Sequence, residues 1–485
     1  MEAKQGAPKK AGKKGAAKAA PAIESVFGSK AGSPQQPLYD NVTKQEEEQR
    51  LIAVLKSEGQ QFDKDVACRR LAVIGTKAAV PALTALLSDQ DLCDVARTPL
   101  ETIPDPAADE ALRAAMGQLK GRLLIGVINS IGVRKDSNAG ADLIKRLSDA
   151  DAGVAEAAAA ALGKIGTPEA AKALEQALAD GPAAIRPAVA DACITVADNW
   201  LVAGKNAEAA ALFDKVRGAK PSKPILVAAT RGAILARQNQ QGNGGAPLLI
   251  EQLKGEDWDL SDLALRLARE IKGADLTRAL AAEVGNLPPP KRVLLLKALG
   301  DRRDPAALSA VLEATKSGEP KVRVAALQAV AQLGDSTAVP VLFAAALDPE
   351  AEVAAAAQAS LAGIPNTNTQ VNDAIAARLA DKDSKVRRVA IEAVGKRLIG
   401  PTVPQLIKAA DDSDAQIRVA VLNALTALAL ARRGEPAAKD EAKKAALALC
   451  DKLAQSNPAE ASEAKRKLTE TSVTTSPAPM KSPGL

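Results

Sequence analysis

Three arginines recur at one register: Arg323 in EPKVRVAALQAV (319–330), Arg387 in DSKVRRVAIEAV (383–394) and Arg418 in DAQIRVAVLNAL (414–425). A guanidinium that returns beside carboxylates suits capture of phosphate or carboxylate. A second candidate chemistry is acid–base work by the paired carboxylates Asp257/Asp259, Asp381/Asp383 and Asp411-Asp412. Such work needs one carboxyl raised by burial. These pairs instead fall where turns and helix starts are expected, and Asp is favoured there by capping and by the helix dipole. Trp200 and Trp258, beside Asp198 and Asp257, offer ring faces either to a peptide or ligand or to core packing.

The 485-residue chain contains no histidine, which removes the commonest general base and the commonest metal ligand. Cys68, Cys93, Cys193 and Cys450 lie far apart and form no C-x-x-C pair. They compose neither a zinc cluster nor a haem attachment, and are expected as buried small apolar residues. QNQQGNGGAP (238–247) is Gly-rich but lacks the preceding strand and the G-K-[ST] ending of a phosphate loop, so a flexible inter-helix loop is expected there. On these grounds no catalytic centre, no cofactor and no metal are expected.

The elements that must position these residues are repeats. VIGTKAAVPALTALLSD from Val73, KIGTPEAAKALEQALAD from Lys164 and QLGDSTAVPVLFAAALD from Gln332 share a Gly in third place, an Ala-Leu or Val-Leu pair in the middle and a final Asp. Val322, Val353, Val386 and Ile417 mark unit starts 31, 33 and 31 residues apart, a period read as stacked supersecondary units. Within one unit, Val322, Ala326, Ala329, Val330 and Leu333 follow the spacing of one helix face. Gly334 is expected to end that helix with positive φ. Asp335, Ser336 and Thr337 offer oxygens to a second helix whose first turn holds Pro340, and Asp348-Pro349 turns toward the next unit. Aromatics make up 1% of the chain, too few for a deep round core. The fold expected is all-α, a thin stack of helical hairpins.

The Val/Ile-Arg helices followed by AVPVL or TVPQL resemble HEAT repeats, especially the short bacterial form called the phycobilisome-lyase HEAT-like repeat. The resemblance covers roughly residues 62 to 430 in about a dozen units. The unit near 91–120 departs from it with Pro99, Pro104 and Pro106, and the unit near 353 has Ala354 in the Arg position. ETIPDPAADEALRAAMGQLKGRLLIGVINSIGVRKD (101–136) is similar to a group of bacterial HEAT-array proteins that are often exported. NWLVAGKNAEAAALFDKVRGAKPSKP (199–224) breaks the period and is similar to a tetratricopeptide-type hairpin. The HEAT resemblance implies an α-solenoid whose second helices, such as 80–87, 246–254 and 403–410, line a concave face. It also implies that Arg323, Arg387 and Arg418 form a structural ladder with carboxylates between hairpins. Some HEAT-like proteins are DNA glycosylases that use Trp, Asp and Arg on the concave face, the alternative use of Trp200 and Trp258.

The net charge of +6 is local. Residues 1–20 hold six Lys against Glu2, leaving 58 basic and 57 acidic residues for the rest. PKKAGKKGAAKAAP resembles the tails of histone-like bacterial proteins, and its charges permit salt-sensitive binding of nucleic acid. The expected organisation is a disordered Lys/Ala/Pro-rich tail over 1–40, a solenoid over 41–470 with an irregular middle near 183–260, and a second disordered tail over 471–485. No signal peptide or membrane span is read, and a cytoplasmic location is expected, or export if a leader precedes Met1. The expected function is a non-catalytic scaffold for a protein or peptide partner. The alternative is a nucleic-acid-associated protein tethered by the basic tail, and an enzyme ranks third.

Overall fold

Periodic apolar faces on short helices can be buried only against one another, and the chain solves this by stacking. A computed structural model describes residues 43–365 and 369–470; the expected tails over 1–40 and 471–485 lie outside the described residues. Among the described residues there are 26 α-helices, eight short 3₁₀ turns and no strand. One apolar seam runs from Leu51 to Leu468. Helices pack on their sequence neighbours and on the helix one unit away, so the fold is an all-α solenoid.

The unit at 319–348 shows the local logic. Its first helix, Pro320–Leu333, buries Val322, Ala326, Ala329, Val330 and Leu333 on one face. The N–H of Thr337 donates to Asp335 Oδ1 at 2.8 Å, opening a 3₁₀ turn (Ser336–Ala338) that runs into the second helix, Val339–Ala345. Pro340 sits in that helix's first turn, where no intrahelical N–H bond is lost. Gly334 departs from expectation: its φ is −67°, not positive. Glycine is needed there for space, because a Cβ would fall 2.6 Å from the Val330 carbonyl oxygen and 3.3 Å from Ile364 Cδ1.

First helices approach one another much more closely than second helices do. A Cβ on Gly132 would lie 2.8 Å from Ala161 Cα; for Gly163 and Ala192 the distance is 3.0 Å, for Gly300 and Ala329 3.1 Å, and for Gly395 and Ala424 2.8 Å. Each partner stands 29 residues further on, so the same seam recurs along the array. The second helices are short, seven residues at Gly140–Arg146, Leu308–Ala314 and Val403–Ala409, and they meet their neighbours sparsely. A stack that is tight on one side and loose on the other bends toward the tight side. The first helices therefore line the concave face, and the expectation that 80–87, 246–254 and 403–410 would line it is corrected: those helices form the outer layer.

The middle of the array is built from Arg186–Val202, Asn206–Gly218 and Lys223–Gln241, the first and last of them longer than the 14-residue first helix at Pro320–Leu333. Phe213 fills their junction and is fully buried, with its ring against Gly232, where no side chain fits. The stretch expected as a flexible loop over 238–247 is shorter than that, because the helix continues through Gln241 and only 242–245 form the turn. Pro99 lies inside the helix Cys93–Thr102, while Pro106 occupies the first turn of Pro106–Gln118 behind its cap Asp105.

Candidate docking face

The three arginines of the expected ladder occupy corresponding positions near the starts of first helices. Arg387 Nη2 and Nε donate to Asp412 Oδ2 at 2.9 and 3.1 Å, and Nη1 donates to the carbonyls of Asp381 and Lys382 at 3.0 and 3.1 Å. Arg387 thus spans the loop before its own helix and the loop before the next. Arg418 Nη1 donates to the carbonyls of Asp412 and Ser413 at 2.8 and 3.0 Å, so Asp412 receives both arginines. Arg323 pairs with Asp348.

In two of the pairs one carboxylate, Asp257 or Asp383, caps a helix, and in the third Asp411 pairs with Lys452 and Asp412 with Arg387. Asp257 accepts from the N–H groups of Asp259 and Leu260 and pairs with Lys223. Asp381 accepts from Asp383 N–H at 3.1 Å, and Asp383 caps the helix Ser384–Arg397. Lys223 beside Asp257, and the Asp383 N–H at Asp381, hold these carboxyls below the ordinary range. That is opposite to the shift a general acid at neutral pH needs.

The tryptophans are not brought together. Trp200, on Arg186–Val202, is half-buried against the apolar seam, whereas Trp258 opens the helix Trp258–Glu270 and is 60% exposed. Burial pushes the Asp198 carboxyl up while Arg231 pulls it down. Asp198 is nonetheless open to water, the combination expected on the floor of a concave surface. Burial drives the thiols of Cys68 and Cys193 up to about 12, and all four cysteines are buried and free. Among the described residues no cluster of ligating side chains could hold a metal ion, and no helix is long and apolar enough to cross a membrane.

What the concave layer offers is a shallow groove. Between Ser384–Arg397 and Ala415–Ala429 its walls are Arg388, Glu392 and Lys396 on one side and Gln416, Val419 and Asn423 on the other, over a floor of Gly395 and Ala424. Toward the middle of the array the same face exposes Gln328 and Gln332, then Glu352, Ala355 and Ala359. Small and polar side chains of both signs alternate along it, a surface suited to scattered hydrogen bonds around modest apolar contact.

Sequence reasoning missed a second arginine set. Arg134, Arg302 and Arg397 end first helices in the pattern Gly-x-Arg (132–134, 300–302, 395–397). Each reaches back to the frayed carbonyls of the preceding first helix. Arg134 Nη1 donates to Leu100 and Ile103 at 2.8 and 2.7 Å, and Arg397 Nη1 to Leu361 and Ile364 at 2.9 and 2.5 Å. Arg302 Nη1 donates to Ala268 and Ile271, and its Nη2 to Gly273 at 3.1 Å. The helices so clasped all end in an extended isoleucine, Ile103, Ile271 or Ile364, so the guanidinium satisfies carbonyls left open there. The residue after each arginine, Lys135, Arg303 or Leu398, is left-handed with φ of 56, 52 or 60°. Gly-x-Arg one unit after a helix-ending isoleucine is the signal that could have revealed the clasp.

Among known proteins, no curated sequence matches this chain. Among solved structures, the karyopherin Kap121p, bound to the extreme C-terminus of the protein phosphatase Cdc14p, aligns with 88% of this chain at 12% identity and a TM-score of 0.51. This chain covers 54% of Kap121p, about half its length. Kap95p, in a structure describing its binding to RanGDP, aligns with 88% of this chain and 66% of its own at 13% identity, but a TM-score of 0.40 is too loose to argue from. At such identities the likeness speaks for the fold alone. Residues 110–193 and 277–362 match the model of HEAT repeats, and the chain is accordingly an α-solenoid that carries HEAT repeats in two regions of its length.

Proposed function

We propose that this chain is a non-catalytic scaffold that holds a protein or peptide partner along its first-helix face. The observation that carries this reading is the groove between Ser384–Arg397 and Ala415–Ala429, open along the array and walled by Arg388, Glu392, Lys396, Gln416, Val419 and Asn423. Its charges are few and mixed, which suits a polypeptide better than a polyanion. The neighbour Kap121p binds the end of another protein, a use of the fold consistent with this reading. Arg323, Arg387 and Arg418 hold units together in it: Arg323 pairs with Asp348, Arg387 with Asp412, and Arg418 donates to the carbonyls of Asp412 and Ser413.

The test is affinity capture with the full chain, wild type beside a Val419→Glu, Asn423→Arg double variant of matched thermal stability. A protein retained by the wild type and lost by the variant, with apparent affinity reduced at least about tenfold (~1.4 kcal/mol), is the expected result. Equal retention by both would place the binding surface elsewhere.

A further inference from the structure

At the N-terminal end of the concave layer, the first helices Gln61–Ile74 and Cys93–Thr102 leave a notch lined by Phe62, Leu92 and Val95, with Asp65 and Asp91 at its rim. Phe62 is 68% exposed, in a chain that has only four Phe. Asp65 pairs with Arg69 at 3.0 Å, so the acid that the rim offers an incoming segment is Asp91, and such a seat calls for a short apolar segment with a basic flank. One such segment belongs to the chain itself: AIESVFGSK (22–30) places Ile23, Val26 and Phe27 at i, i+3 and i+4, the spacing of one face of a helical turn. Six lysines precede it and Lys30 follows.

We propose that residues 22–30 of this chain seat in the Phe62–Val95 notch of the same molecule, with Phe27 as the anchor and a flanking lysine facing Asp91. The described residues begin at Thr43, just before the helix Lys44–Lys56. That helix lies antiparallel against Gln61–Ile74, through Glu47 with Arg70 and Glu48 with Thr76. The chain therefore emerges near the far end of Gln61–Ile74, about 20 Å from Phe62 at 1.5 Å per helical residue. The 16 residues from Phe27 to Thr43 reach up to about 50 Å when extended, so the contact is within reach, and tethering supplies roughly millimolar effective concentration. The segment then competes with any partner for the first units of the concave face, a self-occupied state that a partner must displace. The contact stands apart from the partner's identity.

The test is disulfide trapping in the full chain carrying Ser29→Cys and Gln61→Cys, with and without Phe27→Glu. Native thiols are buried, and peptide mapping locates the bond. The expected result is a bond between the two introduced thiols within one chain, formed about tenfold more slowly with Phe27→Glu, since that change removes the anchor and leaves the tether intact. No bond, or one equally fast with Phe27→Glu, overturns the proposal. A bond joining two chains also overturns it, by making a second copy the occupant. Neither readout requires the partner, so a failure here is distinct from failure of the scaffold reading.

Discussion

A Cβ placed on Gly395 would fall 2.8 Å from the Cα and 2.9 Å from the Cβ of Ala424. The two helices that form the groove's walls therefore touch at its floor. Gly within a helix ordinarily costs about 1 kcal/mol relative to Ala, so the sign of a Gly→Ala change reports whether this contact matters. Gly395→Ala is expected to destabilise the chain by about 1–3 kcal/mol through overpacking. Gly117→Ala, with nothing within 4 Å of its added Cβ, is expected to stabilise it by about 0.5–1 kcal/mol. Urea melts of the two variants settle the matter, and equal effects would refute the close seam.

Arg302→Ala removes donors from the carbonyls of Ala268, Ile271 and Gly273 and from Thr277 Oγ1 at once. A loss of about 3 kcal/mol is expected, since these acceptors are largely shut off from water. Arg302→Lys keeps the charge but loses the planar fork, and should recover less than half of that. A neutral Arg302→Ala in thermal unfolding would mean that the clasp is ornamental.

For Arg387→Ala the expected loss is smaller, about 1–2 kcal/mol, because Asp412 keeps the N–H of Asp414 as a donor. Partner capture by the remaining folded molecules should be unchanged. Normal stability combined with lost capture would identify Arg387 as a ligand contact.

Acid should unfold the array from the loops inward. Glu47 is held below the usual carboxylate range by Arg70, Asp304 by the Thr277 hydroxyl, and Asp381 by the Asp383 N–H. Such carboxyls bind protons more readily in the unfolded chain, so stability is full above the unfolded pKa near 4 and declines as pH falls through the lower folded values. Asp198, raised by burial, acts with the opposite sign and offsets only part of the loss. The urea midpoint should fall between about pH 4 and pH 2.5. A midpoint that rises over that interval would contradict these assignments.

Much of the hairpin was legible in the sequence because periodicity reports burial directly. Val322, Ala326 and Val330 had to share a face, and they do. Gly334 was half legible: its place at the helix end could be read, but glycine serves there either for positive φ or for space, and only the Val330 carbonyl behind it decides. Curvature was not legible, because it depends on which layer packs more tightly, and that rests on Gly132, Gly163, Gly300 and Gly395 meeting alanines 29 residues away. The ladder arginines announce themselves beside carboxylates. Arg134, Arg302 and Arg397 reach mainly for backbone carbonyls, which carry no side-chain signature.

The clasps also bear on how the molecule would carry a load. Every unit touches little beyond its neighbours, so a pull on the two ends is transmitted in series, as through links of a chain. Junctions at Arg134, Arg302 and Arg397 are riveted by a side chain that grips the helix behind it, while unclasped junctions rely on apolar contact and single bridges such as Arg323 to Asp348 or Arg387 to Asp412. Those should part first, each unit of about thirty residues paying out roughly 100 Å of extended backbone. Stretches beside a rivet would stay wound until higher tension, giving the solenoid a built-in order of yielding.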